Sequence, residues 1–184
     1  MESKRKLNPL VENSNTCLNL QVLTNSKDKT RRERILRNHM ASHVIAAWEG
    51  RWKGPEIAHD PCMYCCSSMR MTGCTMQIVG TKVKPDCKIQ HVPEFPQKSL
   101  KSSKKFPTTN QPMRCERCSS AGPKPSEVFI PKYNMLSHYK EVHGIDYDEE
   151  HCDYLHKYVI GEDEKKKVTD KFEVRERVSS KVHN

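Results

Sequence analysis

Two thiols followed by two imidazoles constrain this chain more than any hydrophobic pattern in it. From Met113 to Gly144 the sequence reads MRCERCSSAGPKPSEVFIPKYNMLSHYKEVHG. Cys115 and Cys118 have two residues between them, nineteen residues follow, and His138 and His143 come next with four residues between them. A Cys-x-x-Cys turn offers two thiolates from one tight bend, and a helix offers two imidazoles about one turn apart. Zinc takes four such ligands as a tetrahedron. The intervening loop is longer than the roughly 12 residues of a DNA-reading finger, but the order and both terminal spacings fit. A redox dithiol would open a helix after a strand, and Pro112-Met113-Arg114 gives little sign of that setting.

Composition explains why metal is needed. Apolar residues are 35% of the chain, against about 45–50% with glycine included in an ordinary globular domain. Four Phe and two Trp cannot fill a large core, and small domains of this kind rely on staples. The staples on offer are nine Cys and nine His. The stretch MESKRKLNPL has no apolar signal-peptide core, and no run reaches the roughly 18 apolar residues that cross a bilayer. The expectation is an intracellular chain with no membrane partner, in which thiols stay reduced and paired Cys mean metal rather than disulfide.

The expected architecture is a small α+β zinc-stabilised fold, with short helices and a β-hairpin around two zinc knuckles and a disordered or helical charged tail. Residues 1–26 read as a loose segment, with an apolar patch at Leu18–Leu23 and an isolated Cys17. Residues 27–92 form a first His/Cys unit. Within it, residues 30–49 read as a helix: Thr30 and Glu33 have capping-box spacing, and Leu36, Met40, Val44 and Ala47 recur at helical intervals. MQIVGTKVK, residues 76–84, reads as a hairpin turning at Gly80-Thr81. Residues 93–111, rich in Pro, Ser, Thr and Lys, have linker composition. Residues 112–145 form the second finger, whose helix Asn134 can cap and Gly144 can end. Residues 146–184 form a helical, charged tail, with a short helix at 148–160.

The ligands of the first unit admit more than one assignment. His39 and His43, four apart on the first helix, project from one face and combine with Cys62 and Cys65 into the preferred tetrahedron. Cys66, Cys74, Cys87 and His91 compete, and an all-thiolate set of Cys62, Cys65, Cys74 and Cys87 is chemically acceptable. Either way the expectation is about two zinc ions per chain.

In succession, HMASHVIAAWEG (39–50), PCMYCC (61–66), GC (73–74), DC (86–87), PTTNQPMRCERC (107–118) and YNMLSHYKEVHG (133–144) resemble a group of zinc-finger-like proteins of mushroom-forming fungi. The likeness spans roughly residues 33–145, and the last element also resembles the finger of BED-type, transposase-derived proteins. The chain departs from the pattern at Thr108, where the group often has Cys, and at Cys66, where it tends to have glycine. The resemblance implies a nuclear, transposon-linked role.

Charge points to the partner. Net charge is +9, concentrated ahead of the acidic tail, and basic surfaces attract nucleic acid. Candidate phosphate contacts are Arg31, Arg32, Arg34 and Arg37 on the first helix, Lys98, Lys101, Lys104 and Lys105 in the linker, and Lys132 and Lys140 near the last finger. The expected function is therefore a zinc-binding, nuclear, nucleic-acid-binding protein, DNA favoured, with structural zinc. The alternative is a zinc-scaffolded protein-interaction module that docks through the C-terminal region. A metal-dependent nuclease ranks last and no small-molecule substrate is expected. There is no His-Glu-x-x-His motif. Pro61-Cys62-x-x-Cys65 matches half of the deaminase signature, but His39, His43 and His59 are followed two positions on by Ala41, Ile45 and Pro61 rather than Glu.

Overall fold

The computed structural model describes residues 28–53, 56–120, 129–148 and 152–180. The loose segment with Leu18–Leu23 and Cys17 lies outside them. The fold is α+β, with few helices and short antiparallel sheets gathered around two Cys/His clusters.

Helix α1, Lys29–Trp48, is the central element. Its N-terminus is capped by Asp28, whose carboxylate accepts from the Arg31 N–H at 3.1 Å, so the cap lies ahead of the Thr30–Glu33 box. Glu33 is drawn inward instead. Its Oε1 accepts from Arg37 Nε at 2.8 Å, and both side chains are almost wholly buried. Ten residues of α1 between Glu33 and Ile45 are buried. A helix covered on most of its faces carries little amphipathic signal. Gly50 takes φ 65° and ends the helix.

After the short helix α2 (Met69–Thr72) come β1 (Thr75–Val79) and β2 (Lys82–Asp86), the expected hairpin. Its turn is Gly80-Thr81, with Gly80 at φ 59°, the left-handed conformation that a two-residue turn demands. Strand β3, Phe95–Pro96, adds to the other side of β2, giving the order β1-β2-β3. A second, two-stranded sheet pairs β4 (Pro112–Arg114) with β5 (Phe129–Pro131). The short helix α3, Glu116–Ser120, lies between them in sequence.

Residues 93–111 are packed, although their composition is that of a linker. Phe95, Leu100, Thr108 and Asn110 are buried. Arg37 holds the segment from beneath, its Nη1 and Nη2 donating to the Asn110 and Ser99 carbonyls, each at 3.2 Å. The lysines of this segment are exposed, while these apolar and small polar residues point in.

Helix α4, Met135–His143, follows a 3-10 turn over Lys132–Asn134. Asn134 does not cap α4 through its side chain, which donates instead to the Pro61 carbonyl at 3.0 Å. Gly144, at φ 66°, ends α4 as expected. Farther on, the expected short helix is a 3-10 stretch, Asp153–Tyr158, that buries Leu155 and Tyr158. Helix α5, Glu162–Ser180, opens the tail. Glu164 anchors it, accepting at 2.6 Å from the Thr109 N–H, the Thr109 hydroxyl and the Tyr133 hydroxyl, and Val168 is buried in the cluster that lines α1.

Among the described residues, apolar contacts fall into three small clusters rather than one core. Tyr64, Met76, Val83 and Phe95 centre the first, Met40, Val44 and Ile45 the second, and Met135, Tyr139 and Tyr158 the third. Among the described residues, no helix is long and apolar enough to cross a membrane.

Candidate metal centres

The hairpin builds half of the first centre. Thr75 pairs with Asp86 at its open end, so the next residue outward on each strand, Cys74 and Cys87, must also face each other. Their sulfurs lie 3.9 Å apart. Cys62 and Cys65 supply the other half from a tight knuckle. The Cys62 carbonyl accepts from the Cys65 and Cys66 N–H groups at 3.3 and 2.9 Å, and the Cys62 N–H donates to Ser67 O at 2.7 Å. Cys66 leaves the knuckle at φ 56°, a conformation that favours glycine. The sulfurs of Cys62, Cys65, Cys74 and Cys87 all lie within 4.8 Å of one another.

Donors around the cluster favour thiolates. The Lys88 N–H donates to Cys74 Sγ at 3.3 Å, the Gln90 N–H to Cys87 Sγ at 3.2 Å, and the Thr72 hydroxyl to Cys74 Sγ at 3.1 Å. Hydrogen bonds from Cys62, Cys65 and Cys87 hold the Cys74 thiol far below its ordinary range. Those that Cys62 makes with Cys65, Cys74 and Cys87, with burial added, push Cys62 far above it. Four crowded sulfurs cannot all ionise alone, and a divalent cation is the partner that lets them. A tetrahedron with Zn–S bonds of about 2.3 Å separates its sulfurs by about 3.8 Å, close to the Cys74–Cys87 spacing.

The second centre gathers Cys115, Cys118, His138 and His143. Cys115 follows β4 directly and Cys118 sits in α3, so the strand-then-helix setting of a dithiol is present after all. What marks this pair as metal ligands is α4, which brings both histidines to it. Cys115 Sγ lies 3.2 Å from His143 Nε2, and Cys118 Sγ lies 3.4 Å from both His138 Nε2 and His143 Nε2. Zinc with one sulfur and one nitrogen ligand separates them by about 3.5 Å. Burial, reinforced by the neighbouring His143, lowers the His138 pKa and keeps that ring in the neutral form that ligates metal.

His39 and His43 are not in the first centre, which corrects the preferred assignment. Both are buried, with their Nε2 atoms 2.9 Å apart. The His43 ring meets Trp52 edge-on, with centroids 4.4 Å apart. Among the described residues, no Cys, Asp or Glu completes a three-ligand group with them. The physical reason is the hairpin, whose closed register delivers two thiolates to the knuckle and fills the tetrahedron. Burial pulls the His43 pKa down to about 4, so the ring stays neutral and acts as packing. We expect His43→Gln to leave the zinc content unchanged by elemental analysis; loss of one ion would return His43 to the ligand set. Cys66 is likewise outside the centre, its Sγ 3.6 Å from the Met40 carbonyl, and His91 is exposed.

The sequence carried a signal for the all-thiolate set. Extending the hairpin's register by one residue pairs Cys74 with Cys87, whereas helical spacing favours the histidines.

The basic residues are dispersed differently from the expectation. Arg37 is buried in its ion pair and offers nothing to a phosphate. The Arg34 guanidinium is held by Lys101 O and Ser103 Oγ, both at 3.3 Å, and lies 4.5 Å over the Phe106 ring. These contacts seat the loop bearing Lys101, Lys104 and Lys105 beside the first turns of α1, where Arg31 is exposed and Arg32 half-buried. Lys98 and those three lysines are exposed. Lys132 donates to Thr109 Oγ1 at 2.9 Å, and Lys140 pairs with Asp146 at 2.8 Å.

Comparison of the chain with protein families, curated proteins and solved structures finds no match.

Proposed function

We propose that the chain is a zinc-scaffolded nucleic-acid-binding module, with DNA the favoured partner and the nucleus the matching compartment. The observation that carries the metal half is that both clusters supply four protein ligands at tetrahedral separations. Catalytic zinc keeps a position for water or substrate, and four protein ligands fill every position, so both ions are structural. What supports the nucleic-acid half is charge: +9 overall, with Lys101, Lys104 and Lys105 exposed on one loop that packs against the start of α1.

The experiment is a salt-dependent titration of the zinc-loaded chain against duplex DNA. Affinity should fall steeply with salt. Lys101→Ala, Lys104→Ala and Lys105→Ala together should flatten the logarithmic slope by up to about 2–3, since each phosphate that is no longer neutralised removes about 0.9. Binding that ignores salt, or a slope untouched by the triple substitution, would remove this face from the proposal.

A further inference from the structure

The loop that follows the 3-10 turn Gln97–Leu100 sets a serine among cations. Residues 101–105 read Lys-Ser-Ser-Lys-Lys, and all five are exposed. Ser103 opens a tight turn: its N–H donates to the Phe106 carbonyl at 2.8 Å, and its carbonyl accepts from the Phe106 N–H at 3.0 Å. Lys104 and Lys105 therefore stand at the tip. From α5, Lys171 Nζ donates to the Lys104 carbonyl at 2.7 Å and to the Lys105 carbonyl. From α1, Arg34 Nη2 donates to Ser103 Oγ at 3.3 Å, and its guanidinium lies over the Phe106 ring. Lys105 Nζ is 6.0 Å from the centre of the same ring.

Among the described residues, no carboxylate pairs with Arg34, Lys101, Lys104 or Lys105. Glu33, beside Arg34 in the chain, is turned inward onto Arg37. The acceptors that Arg34 does have, Ser103 Oγ and the Lys101 carbonyl, are neutral, and both lie at 3.3 Å, long for an N–H···O bond. A guanidinium is matched best by a carboxylate or a phosphate, which accepts two parallel bonds and carries the opposite charge. A phosphate carried on Ser103 Oγ would be that acceptor, placed on the atom the guanidinium already faces. Its charge of about −1.5 to −2 would be set among four cations.

We propose that Ser103 is a phosphorylation site, modified by a protein kinase that selects basic segments and held afterwards by Arg34. Lys101 two positions before it, and Lys104 and Lys105 directly after it, complement an acidic substrate groove. The turn is short and exposed, so it opens locally at small cost. Ser103 Oγ attacks the terminal phosphorus of a nucleoside triphosphate held by the kinase. The new Oγ–P bond replaces the bond from that phosphorus to the β-phosphate oxygen, the nucleoside diphosphate leaves, and the hydroxyl proton passes to a base of the kinase. Arg34 bonds Ser103 and not Ser102, so position 103 is the one whose phosphate the fold holds. Once there, the phosphate neutralises the lysines that meet nucleic acid and switches that face off. This consequence rests on the proposed nucleic-acid function, whereas the site itself does not.

The test uses the full chain with its zinc content measured first. It is incubated with magnesium ATP and the catalytic domain of a kinase selective for basic substrates, and the phosphate is mapped by mass spectrometry. Ser103 should be modified ahead of Ser102, and Ser103→Ala should abolish that incorporation. Phosphorus NMR then follows the Ser103 phosphate through pH. Its second pKa should fall below the ordinary value of about 6, because a facing guanidinium favours the dianion, and Arg34→Gln should restore the ordinary value. If Arg34→Gln loses zinc, a native chain made by semisynthesis with its one phosphate on Ser102 supplies the comparison, and that phosphate should titrate ordinarily. Against duplex DNA at matched salt, the Ser103-modified chain should bind about tenfold or more weakly, with a logarithmic salt slope flatter by about 2. Modification of Ser102 ahead of Ser103, a zinc-loaded chain that the kinase leaves untouched, or an ordinary pKa at the Ser103 phosphate overturns the inference. Unchanged DNA affinity after modification does so too. An unmodified chain with no affinity for DNA overturns the proposed function alone, since the phosphorus measurement needs no DNA.

Discussion

Replacing Cys74 with serine is expected to remove one of two zinc ions and to unfold the first half of the chain. Cys74 is 2% exposed, its sulfur faces Cys87 at 3.9 Å, and it closes the open end of the β1–β2 hairpin. Structural zinc contributes about 10–16 kcal/mol in finger peptides at neutral pH, while a whole domain retains a net stability of only about 5–15 kcal/mol. The three small apolar clusters cannot offset that loss. Elemental analysis should give a zinc-to-protein ratio near one for Cys74→Ser, and near one again for Cys115→Ser through the other centre. Circular dichroism should show strand signal lost in the first variant. A Cys74→Ser protein that keeps both ions would refute the all-thiolate centre.

The second large effect belongs to Arg37. Its guanidinium meets Glu33 at 2.8 Å with both side chains nearly inaccessible, and it ties down residues 99 and 110 through their carbonyls. Burial raises the Glu33 pKa, and Arg37 is the main influence opposing that shift. Arg37→Met leaves a buried carboxylate without its counter-charge and two carbonyls without a donor. Breaking a buried pair in this way costs about 3–5 kcal/mol, measurable by denaturant unfolding of the zinc-loaded chain. Glu33→Gln combined with Arg37→Met should recover part of that loss, because the isolated charge is gone. If Arg37→Met instead matches the native midpoint while weakening DNA binding, Arg37 is a phosphate contact after all.

Sequence legibility differed by the range of the interaction. The hairpin was legible because Gly80-Thr81 between alternating residues is a local instruction, and α4 was legible from its period and Gly144. The four ligands of the second centre share one short stretch with finger-like spacing, and the structure places them together. The first centre was harder. Two histidines four apart on a helix and two cysteines flanking a hairpin are equally good chemistry, and only the register decides between them. The packed state of residues 93–111 was hidden for a different reason. Its anchor, Arg37, lies 62 and 73 residues away from the carbonyls it holds, and no local composition reports a partner at that distance. The same burial removed Arg37 from the basic surface that its residue type suggested.

The placement of the ligands also sets an order of assembly. Cys62 to Cys87 and Cys115 to His143 are short contours, so each cage can close on its ion at a modest entropic cost. The Arg37 contacts join remote parts of the chain, and non-local pairings of that kind are the slow ones. Ion capture should therefore run ahead of docking, with two preformed nodules waiting for α1 and its buried guanidinium to join them.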